Sequence, residues 1–145
     1  MFTPAVGRII LACTIVFLLQ SIVRRFFPLD YTAQFQHLFG LVPYYVTRRL
    51  YIWQFATYLF LHATIWHLVM NMLFLYFFGM DLERTWGKRR FYEYYFLTGI
   101  GAGVIIALHV KDPYNVTSEM LTSLPLWLLV PVSLATLAAN ACSGR

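Results

Sequence analysis

A chain of 145 residues that is 60% hydrophobic, 12% charged and positive in mean hydropathy (+0.64) lies far from the balance of a water-soluble domain. Its net charge of +5 comes from basic residues flanking apolar runs, as Arg24-Arg25, Arg48-Arg49 and Lys88-Arg89-Arg90. These read as membrane-edge anchors favouring anionic headgroups, not as a nucleic-acid surface. The long uncharged runs lack strand-like alternation, which excludes a barrel and leaves helices to satisfy the backbone inside a bilayer.

The first apolar run, Ile9 to Val23, follows Arg8 and ends in Arg24-Arg25-Phe26-Phe27 without a small-residue cleavage site. It is expected to be a retained anchor and not a signal peptide. At fewer than the roughly 20 residues a span prefers, it needs its aromatic and arginine flanks to reach the interfaces. Between Arg25 and Arg48, Asp30 is the one charged residue among Phe26, Phe27, Tyr31, Phe35, Leu38, Phe39, Tyr44 and Tyr45. Pro28, Gly40 and Pro43 break any continuous span there, so a structured segment in the interface and a plain amphipathic connector both fit.

The run Leu50 to Met80 exceeds one span. Its start, with Trp53 as belt residue, is expected at the interface, and a membrane helix from about Phe60 to Gly79. Asp81 to Arg90 reads as a short polar connector. Its basic residues, with Arg8, favour a cytoplasmic amino terminus, although the first loop carries Arg24, Arg25, Arg48 and Arg49 against them. The third run, Tyr94 to Val110, carries Gly99 and Gly103, either a small-x-x-x-small face that lets another helix approach or glycine merely common in membrane helices. The last, Met120 to Gly144, contains Pro125 and Pro131 and is a candidate fourth helix.

Cys13 and Cys142 lie too far apart in sequence to suggest a disulfide framework or metal cluster. Asn115-Val116-Thr117 matches a glycosylation acceptor, a motif too common by chance to assign.

Polar groups inside an apolar helix are costly and usually pair or function. Here they are His62, His67 and Asn71. The four-residue spacing of His67 and Asn71 puts both on one helix face, able to donate toward one point. That suits an oxyanion, where each donor contributes roughly 3 kcal/mol. It also suits interhelical polar glue at about 1 kcal/mol per contact, and spacing alone favours the glue. His37, His62, His67 and His109 offer no His-Glu-x-x-His. On one helix, His62 and His67 would face different sides, which argues against zinc or haem.

The ordered string Trp53-Gln54, Thr57 to His62, His67 to Met72, and Phe78-Gly79 with Asp81-Leu82-Glu83 and Gly87 resembles the rhomboid intramembrane serine proteases. Phe39 to Pro43 before it and the glycine-rich third helix after it extend the likeness over roughly residues 4 to 110. The resemblance implies a six-helix bundle with a membrane-embedded first loop and a serine-histidine dyad below the membrane surface. It implies oxyanion-hole roles for His67 and Asn71, and an active-site neighbour in His62. Trp53-Gln54 departs from the family's Trp-Arg, which leaves open how the first loop is anchored.

The family's Gly-x-Ser-Gly and later histidine are not found. Tyr114 to Pro125 contains no glycine, and Ala141-Cys142-Ser143-Gly144 is followed by no histidine base. The expected architecture is all-α and integral to the membrane: three transmembrane helices and a candidate fourth, incomplete relative to the six-helix core. Residues 1–112 form the rhomboid-like domain and 113–145 a divergent tail. The chain is read as the amino-terminal part of an intramembrane serine endopeptidase, truncated or frameshifted and inactive as written. The alternative is a non-catalytic scaffold, and a third reading is a small structural membrane protein. Expected partners are transmembrane substrates or clients and membrane lipid, with no cofactor and no nucleic acid.

Overall fold

The computed structural model describes residues 3–109, and every regular element among them is helical. Helix α1 spans Pro4–Phe26, α2 Leu29–Phe39, α3 Pro43–Arg49 and α4 Gln54–Thr57, the last running into a 3-10 turn at Tyr58–Phe60. Then come α5 (Ile65–Phe74), a π-helical turn (Leu75–Gly79), α6 (Met80–Trp86) and α7 (Lys88–His109). The apolar run from Met120, the tail at 113–145, Asn115, Cys142 and Ser143 lie outside the described residues.

Two helical stretches are long and apolar enough to cross a bilayer, Pro4–Phe26 and the continuous Ile65–Trp86. In α1, Ala5, Val6, Ile9 and Cys13 form a buried stripe, whereas Leu11, Ile15, Leu18, Leu19 and Ile22 are exposed. Burial recurs at helical spacing, and the bare face is as apolar as the buried one, as a lipid-facing helix requires.

The sequence-based boundaries need three corrections. Helices α1 and α7 are longer than their uncharged runs, at 23 and 22 residues. Arg24 and Arg25, and Lys88 to Arg90, are themselves helical, because a charge at a helix end leaves the backbone ladder intact and its long stem reaches outward. Second, the membrane helix begins at Ile65, not near Phe60. Thr64, with extended backbone, accepts a hydrogen bond from the His67 N–H and caps it there. Third, Asp81 to Arg90 is not a loop: α6 continues through it to Trp86, and the break falls on Gly87 alone, at φ 80° and ψ 160°, backbone that only glycine adopts readily.

Crowding around Gly79 sets how the first and second spans meet. A methyl group there would lie 3.1 Å from both Leu75 Cδ1 and Val6 Cγ2. The hydrogen in its place admits the start of α1, one turn from Glu83. The Glu83 carboxylate, 5% exposed, accepts hydrogen bonds from the Ala5 N–H (2.8 and 3.0 Å) and the Val6 N–H (2.9 Å). These are orphan donors of the first turn of α1, which Thr3 does not cap, so a residue 77–78 positions away supplies the cap.

The glycines of α7 do form a close-approach face, and what approaches is α4 and its 3-10 turn. A methyl at Gly99 would lie 2.6 Å from Leu59 Cδ2, and one at Gly103 would lie 3.0 Å from Tyr58 Cε1. The Tyr58 hydroxyl donates to the Gly99 carbonyl, tying that turn to α7.

Candidate functional site

The first loop folds into α2 and α3, and its anchor is the residue that departs from the family pattern. Gln54 is fully buried; its Oε1 accepts from the Val42 N–H at 3.0 Å and its Nε2 donates to the His37 carbonyl at 2.7 Å. Trp53 Nε1 donates to the Leu38 carbonyl at 3.0 Å, and Thr57 Oγ1 to the Phe39 carbonyl at 2.7 Å. Three side chains of α4 and its entry thus take up the main chain where α2 ends and Gly40 and Pro43 prevent helical pairing. A glutamine, with donor and acceptor on one amide, does this without a guanidinium.

His62 lies in the short segment between the 3-10 turn and α5, 2% exposed. Helix α1 holds that segment: Gln20 Oε1 accepts from the His62 N–H at 3.2 Å, and Arg24 donates to the carbonyls of Ala63 (2.8 Å) and His62 (3.4 Å). The His62 Nδ1 lies 3.1 Å from the Phe60 carbonyl, which places the proton on Nδ1 and the lone pair on Nε2. Burial first, then the neighbouring His67 ring, hold this imidazole neutral, its pKa pulled down to about 4 against the opposing pull of the Phe60 carbonyl.

Because His62 precedes the helix, it does not face away from His67. The two ring centroids are 5.3 Å apart at an interplanar angle of 62°. That corrects the expectation from spacing, which placed both on one helix. Asn71 follows His67 by one turn and is 6% exposed. Neither the Asn71 Oδ1 nor the His67 Nδ1 has a hydrogen-bond partner among the described residues, although both atoms are buried. The structure therefore brings His62 against His67 at the start of α5, with Asn71 one turn further along the helix. His37 lies apart, edge-on to Tyr45 at 5.8 Å, and His109 ends α7.

Sequence reasoning missed Gln20, Arg24 and Glu83. Gln20 and Glu83 are polar groups in apolar helices, the same signal that singled out His67 and Asn71. Arg24 reads as an edge anchor in its doublet with Arg25, and the structure adds that its guanidinium reaches the Ala63 and His62 carbonyls.

Among the described residues, two helices apolar and long enough to cross a bilayer, with a polar cluster at the start of one of them, fit a membrane protein. The match to known families narrows this: the Rhomboid domain model matches residues 49–139, and the chain belongs to the rhomboid family. Among curated relatives it is 40% identical over 57 residues to Rhomboid-like protease 3 of Toxoplasma gondii, covering 39% of this chain and 22% of that protein. It is 31% identical over 103 residues to the rhomboid protease AarA of Providencia stuartii (67% of this chain, 37% of that protein). It is 31% identical over 83 residues to Inactive RHOMBOID-like protein 8 of Arabidopsis thaliana (57% and 24%). The chain thus spans 22% to 37% of the length of these relatives. No solved structure matches it.

Proposed function

We propose that these helices form the oxyanion side of an intramembrane serine endopeptidase site, with His67 and Asn71 as donors to the developing oxyanion and His62 as the neighbour that fixes the His67 ring. The observation carrying this is that the Asn71 amide oxygen and the His67 Nδ1, both buried atoms and one turn apart on one helix face, have no hydrogen-bond partner among the described residues. Interhelical polar glue would already be paired, whereas a binding site leaves polar groups open, and the donors in this reading are the Asn71 Nδ2 and a His67 ring N–H. The substrates in this reading are transmembrane helices cleaved by acyl transfer. The membrane arrangement is α1, Ile65–Trp86 and α7 as three spans, a fourth from the run after Met120, and a cytoplasmic amino terminus. The 145 residues hold neither Gly-x-Ser-Gly nor a following histidine, so the oxyanion side is assigned without nucleophile or base.

The test is a chimera in which the matching stretch of the Providencia protease is replaced by this chain's residues and cleavage of a transmembrane reporter is measured. Cleavage is expected, and His67→Ala or Asn71→Ala is expected to lower it by roughly a hundredfold or more. An active chimera indifferent to both substitutions sinks the reading. The 145 residues alone are expected to resist a fluorophosphonate probe; labelling abolished by Ser143→Ala would contradict that.

A second reading, a rhomboid-like scaffold that engages transmembrane segments without cutting them, is favoured by the match to a relative named inactive. It predicts crosslinking to a transmembrane client with His67 and Asn71 dispensable.

A further inference from the structure

The histidine pair has a second chemistry, independent of any serine. Two imidazoles sharing one tetrahedral cation, with metal to nitrogen distances of about 2.0–2.1 Å, hold their ring centroids roughly 5 Å apart. The His62 and His67 centroids are separated by 5.3 Å. A histidine that binds metal through one ring nitrogen commonly donates the other N–H to a backbone carbonyl, which sets tautomer and ring direction. His62 Nδ1 meets the Phe60 carbonyl in that way and leaves Nε2 as a lone pair. His67 contributes a ring nitrogen, Nδ1, that is buried and has no partner among the described residues.

We infer that His62 and His67 form a two-imidazole site for a divalent transition-metal ion of the zinc or copper type. No group of three or more histidine, cysteine, aspartate or glutamate side chains that could hold a metal occurs among the described residues. Water completes the coordination, with the Asn71 carboxamide oxygen, one turn from His67 and itself unpartnered, as a further oxygen donor.

The surroundings decide which metals bind. The site lies at the amino terminus of α5, whose partial positive charge opposes a cation, and Arg24 reaches the carbonyls of His62 and Ala63. A hard ion held by charge alone, Mg2+ or Ca2+, is therefore excluded, whereas Zn2+ and Cu2+ form directional bonds to neutral imidazole. A bound ion occupies the His67 Nδ1 lone pair and fixes the ring, so that nitrogen can no longer serve the oxyanion. That inhibitory consequence rests on the proposed function, but the binding does not.

Zn2+ binding to the tag-free 145-residue chain in phosphatidylcholine nanodiscs, measured calorimetrically at neutral pH, tests the site without any substrate. One equivalent is expected to bind, with no heat from Mg2+. His62→Gln and His67→Gln should each weaken binding roughly tenfold or more, while His37→Ala with His109→Ala leaves it unchanged. Binding unaltered in the His62→Gln, His67→Gln double variant, or absent from the native chain, overturns the site. Because His62 is buried and its variant could misfold, the native chain loaded with one equivalent of Cu2+ supplies a second measurement. Pulsed electron paramagnetic resonance should show two imidazole nitrogens on the copper, and one or none refutes the pair.

Discussion

The anchors of the first loop and of α1 differ from the polar wall of α5 in one respect: whether their hydrogen bonds are closed. Gln54 has both ends of its amide engaged and Glu83 holds two helix-terminal N–H groups. Asn71, as buried as Glu83, has an oxygen that meets nothing among the described residues. Closed bonds stabilise the fold, whereas open ones at equal burial cost stability. Substitutions on the two sides should therefore move stability in different directions.

The largest loss is expected at Glu83. Glu83→Ala strands the buried Ala5 and Val6 N–H groups, for a cost of about 4 kcal/mol. Reversible unfolding in mixed micelles reads it, and Glu83→Gln, which keeps one acceptor, should recover about half. A Glu83→Ala protein of native stability would remove Glu83 from the anchors. Next is Gln54→Ala, at about 3 kcal/mol for the stranded Val42 N–H and the small cavity. Limited proteolysis between α2 and α3 should accelerate with it, since the loop loses its central tie.

His62 stands between the two regions, its backbone anchored by Gln20 and its ring beside the open wall. Its folded pKa, about 4, lies below the ordinary value of 6.5, so between those values the unfolded chain binds more protons than the folded one. Stability from this group is thus complete above pH 6.5 and is lost as pH falls toward 4, by about 2 kcal/mol at pH 5. Unfolding at pH 7.5 and pH 5 should show this difference in the native protein and not in His62→Gln. Equal slopes would mean the ring is not held neutral by its surroundings. A smaller effect, about 1 kcal/mol, is expected for Gly87→Ala, where a methyl meets nothing within 4 Å and only the positive φ is strained.

Much of this contrast could be read from the residue string. The breaks at Pro28, Gly40 and Pro43 bound α2 and α3 because proline and the cap position act locally. The His67 and Asn71 face was legible for the same reason, since one helix turn relates them. What local pattern could not supply was distance in three dimensions: Glu83 capping a helix 77–78 residues away, Gln54 replacing an arginine by bonding both flanks of the loop turn, and His62 folding back onto His67. The helix start was misplaced because the run from Leu50 is uniformly apolar, and hydrophobicity without period marks no boundary. The signal lay in Thr64, whose side chain caps the third residue after it.

The smallest change in stability should come from Asn71, and its sign is the informative part. Asn71→Leu replaces a buried amide, its oxygen unpaired, with an isosteric apolar side chain in a helix surrounded by Leu68, Met72 and Leu75. Removing an unsatisfied polar group is neutral or stabilising, here by up to about 1 kcal/mol, whereas removing a paired one costs a comparable amount. The same substitution in the Providencia chimera should abolish most cleavage. Gain of stability with loss of activity would set the α5 wall apart from the Glu83 and Gln54 anchors, where stability falls. If Asn71→Leu destabilises as Gln54→Ala does, Asn71 is another anchor, closed by a group outside the described residues, and the distinction between the two regions fails.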